Sequence, residues 1–464
     1  MRRWPTFLAV ITASTLSLPA GAGAPLPAPS KYGVAKNFKL VGYTSLGKRG
    51  MNSPIAVAGR CVYVGDRGAR NGIAIVDAAN PAKLRQVGTI KPRSSSTQRE
   101  LRADAGLGLL VVMTYNIGPT GSTTGNYLHV YDIKSCTKPV LLSTVDFGSR
   151  SPHEFFLWKD PKKPGRALAY VAFTIYAPDL MVYDLSNPKA PALAGVFDLG
   201  ADIAYLQRGA TGATSSNGGY LHSISVSDDG KIAYLSTWDF GLILADTSSL
   251  ASASPGAVVP ASLPLQYDGN VHGAVKVPGK PYAVLTEEGY ASTADLVTGK
   301  GGCPYGWLRM ADLSTANAPK VVGEFKLQEN NCDRAKALNG TFTSHNQTVF
   351  PNVALVPWYG GGLRAVDISN PAAPVESGAF VPRPAFVPDY RDNRLFFSSS
   401  PAERWTGAMW SYPVVKNGLI YVVDIDLGLY VLRYTGKHAG EVAKAVFVEG
   451  NSAPSNYGGG RPVT

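Results

Sequence analysis

Short apolar runs of four to six residues, each closed by a cluster of turn formers, recur along the whole chain. Gly362 to Phe380, GLRAVDISNPAAPVESGAF, is the clearest instance. Leu363, Ala365, Val366 and Ile368 predict one strand, Ser369, Asn370 and Pro371 a turn, and Val375 to Phe380 the start of a second strand. The same unit is written as IAIVD at Ile73 to Asp77, LHVYD at Leu128 to Asp132 and LMVYD at Leu180 to Asp184. It returns as LILAD at Leu242 to Asp246 and LRMAD at Leu308 to Asp312. Repetition at roughly 50 to 65 residues, with strands only in each unit, predicts an all-β fold, a β-propeller.

Four-strand units are expected over 55–90, 101–148, 153–200, 221–267, 272–327 and 345–382, and a last unit over 411–434 has only three strands. An orphan strand at Phe38 to Leu46, FKLVGYTSL, supplies the fourth. The expectation is therefore a seven-bladed β-propeller over residues 38–436, closed by an N-terminal strand that completes the last blade and removes exposed edges. The recurrent aspartates, Asp77, Asp132, Asp184, Asp246, Asp312 and Asp367, are expected to cap their turns by side-chain to backbone hydrogen bonds.

The pentads ending in Asp, followed by Ser-Asn-Pro or a variant and a Pro-containing turn, resemble the LVIVD-repeat proteins, a bacterial and archaeal group of exported or cell-surface β-propellers. The resemblance covers nearly all of the chain after its leader and implies the fold; it brings no reaction. Blade seven departs from it, because Tyr430 to Tyr434 carries no Asp, and in blade four Thr247 to Pro260 replaces the short turn.

The two ends read differently. Arg2 and Arg3, an apolar run from Phe7 to Ala20, and Ala22-Gly23-Ala24 predict a secretory signal peptide over 1–24. A Pro-rich leader over 25–37 and a tail over 437–464 flank the propeller. Pro5 and Thr6 interrupt a twin-arginine pattern, so export before folding is expected, with any metal acquired afterwards. No run reaches the ~18 apolar residues of a spanning helix, and a secreted monomer is the expectation. Without Arg2 and Arg3, 42 of the 44 Lys and Arg remain against 33 Asp and Glu, a net charge of +9. These basic residues are scattered and not interleaved with aromatics, which argues against nucleic acid as a partner.

Propeller geometry sorts the loops. The long segments, 115–126, 286–306, 91–100, 201–219, 328–343 and 383–409, fall on one face, the expected working face. His153, His222, His272 and His345 begin the innermost strands of blades three to six, in PHEFF, LHSIS, VHGAV and SHNQT; the matching positions elsewhere are near Arg102, Ser53 and Ser411. Four imidazoles at the channel mouth, beside Glu154, Asp239, Glu287 and Glu288, could hold copper or zinc, and binding would weaken as pH falls through ~6.5. A histidine inherited by repeat duplication, bonded to a neighbouring strand, is the structural alternative. His129 is expected on the surface and His438 in the tail. Trp238, Trp307, Trp358, Trp405 and Trp410 lie on or near the long-loop face, where core or loop packing is favoured over ligand stacking.

Four cysteines in an exported chain imply two disulfides. Pairing by face gives Cys303 with Cys332 and Cys61 with Cys136. No Gly-x-Ser-x-Gly, phosphate loop or His-Glu-x-x-His is present. Two readings of function follow: a secreted binding scaffold for a protein, glycan or cell-wall ligand, favoured because no nucleophile or acid/base pair can be assigned; or a metal-dependent enzyme, possibly an oxidase. The second is similar in layout to the selenium-binding-protein thiol oxidases, without that group's sequence signatures.

Overall fold

The computed structural model describes residues 33–449 except 69, 93–95, 117–124, 175–176, 200–219, 239, 253–258, 261–264, 266–269, 290–305, 316–317, 331–341 and 383–408. The expected signal peptide, the leader up to residue 32, the tail beyond residue 449, Asp239, Trp405, Cys303 and Cys332 lie outside the described residues. Seven antiparallel sheets make a seven-bladed β-propeller. The innermost strands are Asn52–Ala58, Ser96–Asp104, Pro152–Lys159, Ser223–Val226, Val271–Lys276, Thr348–Val349 and Val414–Lys416. They pack side by side around one axis, the last against the first.

Closure follows the expected route. Phe38–Thr44 pairs antiparallel with Gly428–Tyr434, from Phe38 opposite Tyr434 to Thr44 opposite Leu429. Both flanks do more than the sequence suggests. Val34–Lys36, at the end of the Pro-rich leader, adds a fifth strand to the outer edge of blade six. Residues of the tail form a short helix, Ala439–Lys444, whose Glu441 carboxylate accepts hydrogen bonds from the Asn352 N–H (3.0 Å) and Nδ2 (2.5 Å). The tail then returns as Phe447–Glu449, paired with Val414–Lys416 on the axial side of blade seven. Burial pushes Glu449 up to about 7 against the pull of Arg102 and Lys159.

The pentads are buried through most of their length because blades stack face to face, so their side chains meet a neighbour on either side; IAIVD and LRAVD are buried throughout. Each pentad aspartate turns the chain in the same way. Oδ1 accepts from the N–H two residues on, in Asp77 to Ala79 (3.0 Å), Asp132 to Lys134 (2.8 Å) and Asp184 to Ser186 (2.8 Å). Asp246 with Ser248 (2.8 Å), Asp312 with Ser314 (2.8 Å) and Asp367 with Ser369 (2.9 Å) repeat it. Cys61 and Cys136 are joined by a disulfide, Cα to Cα 5.9 Å, which links the second strand of blade one to the outer turn of blade two.

The Asn-Pro turn also locks blade to blade. In six blades the outer strand slips register once against the third strand, a bulge that sharpens its twist. The residue beyond the slip approaches the turn of the next blade. A Cβ added at Gly42 would lie 1.9 Å from the Pro81 carbonyl oxygen, and one at Gly323 would lie 2.1 Å from that of Pro371. At the matching place in blade two, Ser143 Oγ donates to the Pro188 carbonyl (2.6 Å). Gly323→Val should therefore lower stability by roughly 1–3 kcal/mol or more, since the obstacle is backbone. A thermal melt beside Gly440→Ala, where a Cβ meets nothing within 4 Å, checks it; equal melting temperatures would remove this role.

Candidate metal centre

Bulges also build the channel mouth. Innermost strands slip register between Asn52 and Ile55, Gln98 and Glu100, Pro152 and Phe155, and Val271 and Gly273. The residues inside the slips, Ser53, Arg99, His153 with Glu154, and His272, are freed from the ladder and turned toward one another. His222 and His345 precede their strands and are held by backbone bonds to Ser236 O (2.8 Å) and Pro357 O (3.0 Å).

The four imidazoles converge. Ring centroids are 4.1 Å apart for His153 and His222, 4.1 Å for His222 and His272, and 3.9 Å for His272 and His345. Two carboxylates join them. His272 Nε2 lies 3.6 Å from Glu154 Oε1 and 3.6 Å from Glu288 Oε2. His222 Nε2 is 3.7 Å from Glu288 Oε2, and His345 Nε2 is 3.4 Å from Glu288 Oε1. These separations are too long for hydrogen bonds. They suit a shared ion, because two ligands at ~2.1 Å and a tetrahedral angle stand about 3.4 Å apart. His272 is fully buried, and neither of its ring nitrogens has a hydrogen-bond partner among the described residues. Glu154, His222 and His272 form one candidate ligand group, and His272, Glu288 and His345 the other.

Supporting contacts orient the candidate ligands. The Trp410 carbonyl sits 2.5 Å from His345 Nδ1, so that nitrogen carries the proton and Nε2 is left for an ion. Asn346 Nδ2 donates to Glu154 Oε1 (3.1 Å), and the Tyr359 hydroxyl bonds to Glu288 Oε1. Trp238 stacks on His222 at 4.9 Å. His153 stands apart: Arg99 donates to its carbonyl (2.9 Å) and reaches both ring nitrogens. Its Nε2 is 2.7 Å from that of His222, a hydrogen-bond distance. A guanidinium against the ring favours a neutral imidazole held by Arg99 over a direct ligand.

Burial pushes His153, His222 and His272 well below the ordinary histidine value; Arg99 acts the same way on His153. Burial, then the nearby Glu100 charge, pushes Glu154 well above the ordinary carboxylate value. The imidazoles of His153, His222 and His272 are thus neutral and able to coordinate at neutral pH.

Several sequence expectations are redirected. Glu287 faces the other way, paired with Arg309 Nε. Arg99, inside the bulge, occupies the place assigned to Arg102, which lies deeper, 2.8 Å from Glu100 and over the Tyr412 ring at 3.8 Å. Ser53 and Ser411 do meet there, hydroxyl to hydroxyl at 2.7 Å. His129 is 2% exposed, not on the surface, because the neighbouring blade covers its strand; its Nδ1 meets Thr144 Oγ1 at 2.9 Å. His438 lies 3.2 Å from Asp367. Trp358 is core and Trp307 donates to Glu324 Oε2 (3.0 Å), whereas Trp238 and Trp410 belong to the mouth. Asn346, Tyr359 and the Trp410 carbonyl were not singled out in the sequence; only Asn346, next to a candidate histidine, carried a signal.

The LVIVD repeat family matches at residues 49–91, 168–198 and 352–381. No curated protein matches the chain. Among solved structures, a hypothetical selenium-binding protein from Sulfolobus tokodaii is similar at 13% identity and TM-score 0.43, over 60% of this chain and 66% of that one. Saccharomyces cerevisiae Sqt1 is similar at 9% identity and TM-score 0.48, over 86% of this chain and 98% of that one.

Proposed function

This chain is an LVIVD-repeat β-propeller, and for it we propose the function of a metal-dependent enzyme, with one copper or zinc ion held at the channel mouth. The observation that carries the reading is His272: a fully buried imidazole without hydrogen-bond partners among the described residues, its Nε2 3.6 Å from two carboxylates. A buried polar ring left so costs free energy that an ion at its centre would return. His222, His272, His345 and Glu288 are the ligands, with Glu154 beside them. The ion supplies Lewis acidity, and if it is copper also electron transfer, which makes an oxidase the enzyme class that follows.

The residues around the ligands hold them in place. Trp410 fixes the His345 tautomer, Tyr359 steadies Glu288 and Asn346 steadies Glu154. The tail strand Phe447–Glu449 lies on the axis below, so a substrate approaches from the long-loop face. Export is part of the proposal: the N-terminal pattern, the Cys61–Cys136 disulfide, and the lack among described residues of any helix long and apolar enough to cross a membrane all accord with a secreted protein.

The test is metal content after equilibration with copper and zinc. One ion per chain is expected at pH 7. Because burial lowers His222 and His272, protons should not compete at these two ligands as pH falls from 8 to 6.5. Wild-type protein that stays metal-free at neutral pH would end the enzyme reading and leave the loop face as a binding scaffold for a protein, glycan or wall ligand.

A further inference from the structure

A cleft of about 250 Å³ opens on the face opposite the mouth, between the first hairpin turns of blades four and five. One wall is the end of Ser223–Val226 and the turn after it, with Tyr234 of the following strand. The other is the end of Val271–Lys276 and its own turn, through Gly279. Both walls are fixed. Ser225 Oγ donates to the Ala274 carbonyl (2.5 Å) and ties the two innermost strands together. Trp158 Nε1 of blade three donates to the Asp228 carbonyl (3.2 Å) from behind, and backbone bonds from Ser227 N to Ile232 O and from Val277 N to Tyr282 O, both 2.8 Å, close the turns. A cleft held in this way is formed before any ligand arrives.

The walls are opposite in charge. Asp229, with Asp228 beside it, stands on the blade-four side and Lys276 on the blade-five side. Lys276 Nζ donates to the Lys280 carbonyl (2.8 Å) and forms no ion pair among the described residues. Burial pulls it below the ordinary lysine value and the Asp228 charge pushes it back, so the two walls act on each other across the gap without meeting. Asp229 Oδ1 accepts from Ser227 Oγ (2.7 Å); its Oδ2 is 3.9 Å from Lys231 Nζ, with both side chains more than half exposed, a pair of little strength. Tyr234 is 4% exposed, and its hydroxyl has no hydrogen-bond partner among the described residues. Burial, then the Asp229 and Asp228 charges, push this phenol above its ordinary value, which puts the hydroxyl near the carboxylates and keeps its proton in place. A buried hydroxyl left so costs free energy that a polar ligand atom would return. Val226 and Val277, 3% and 1% exposed, add an apolar strip with Pro278.

We propose that this cleft binds a small zwitterion, an α-amino acid with a short apolar side chain. Its ammonium lies on the Asp229 wall, its carboxylate on Lys276, and its side chain along Val226, Val277 and Pro278, with the Tyr234 hydroxyl as a further polar contact. A ligand with one charge fits less well, because a cation faces Lys276 and an anion faces the carboxylates, and like charges brought together discriminate against both. The cleft shares no residue with the channel mouth, so its ligand does not depend on the metal reading.

The experiment titrates the full mature chain with L-valine in a calorimeter, and then with its two halves: isovalerate, which lacks the ammonium, and isobutylamine, which lacks the carboxylate. L-valine should bind saturably at millimolar concentration or below, and each half roughly tenfold or more weakly, as loss of a charge-assisted partner requires. Lys276→Gln and Asp229→Asn should each weaken L-valine by roughly tenfold. Tyr234→Phe should weaken it by about two- to tenfold, the range of a neutral hydrogen bond. Asp229 is exposed and Lys276 half-buried, so these two variants should melt within a few degrees of wild type and carry the test even where the Tyr234 change disturbs its blade. No binding of L-valine, isobutylamine or isovalerate binding as tightly as L-valine, or a folded Lys276→Gln, Asp229→Asn double variant that binds like wild type overturns the proposal.

Discussion

His272→Ala should abolish tight metal binding, with affinity falling on the order of a thousandfold or more. Removal of a group that merely orients a ligand costs 10–100-fold, and His272 is itself shared by both candidate ligand groups. Without it each group is left with two donors, and the proposed set loses its one member common to both. His153→Ala should behave differently, with affinity within about tenfold of wild type, because its ring is engaged by Arg99. Metal stoichiometry for the two variants separates these roles. A saturating ion should also raise the wild-type melting temperature, since binding to the folded state alone stabilises it by mass action, and should leave His272→Ala where it was. A His272→Ala protein that still binds one ion tightly would remove His272 from the centre. Equal losses in both variants would make all four histidines one ligand set.

How far the sequence announced this site depends on the kind of signal each group leaves. The histidine ring was legible because four repeats carry the same residue type at the same point of the innermost strand, and propeller geometry brings equivalent points together. Glu288 and Glu154 were legible as neighbours of those points. Glu287 was misleading for the reason that makes strands informative: consecutive side chains alternate faces, so of two adjacent glutamates only one can turn inward. Arg99 was hidden by a bulge, which inserts residues without changing composition and shifts the count that had pointed at Arg102. The Trp410 carbonyl that orients His345 is a backbone group, which no side-chain pattern reveals. The added strands Val34–Lys36 and Phe447–Glu449 are three residues each, too short to show alternation against Pro-rich or irregular surroundings. His129 was misplaced because an outer position in a blade is not an outer position in the ring.

Deleting residues 25–47 should leave no soluble, cooperatively unfolding protein. The cut removes Phe38–Thr44 from the edge of blade seven, and with it the antiparallel ladder to Gly428–Tyr434 that joins the two ends of the chain. Phe38 and Leu46 are 4% and 3% exposed and sit in the cores of blades six, seven and one. Full burial of such side chains is worth ~1.5–3 kcal/mol each. The lost strand also uncovers a row of backbone donors and acceptors on Gly428–Tyr434 and opens the ring there. Against a total stability of about 5–15 kcal/mol, that combination is enough to unfold the array, and the bared edge templates aggregation. A shorter deletion, 25–36, makes the comparison. Of the described strands it removes only Val34–Lys36, whose Ala35 and Lys36 are exposed and which pairs outside an already complete blade, so it should fold and melt within a few degrees of wild type. Soluble yield and a thermal melt for the two deletions decide the matter. A stable 25–47 deletion with one sharp transition would mean that the propeller closes without its N-terminal strand.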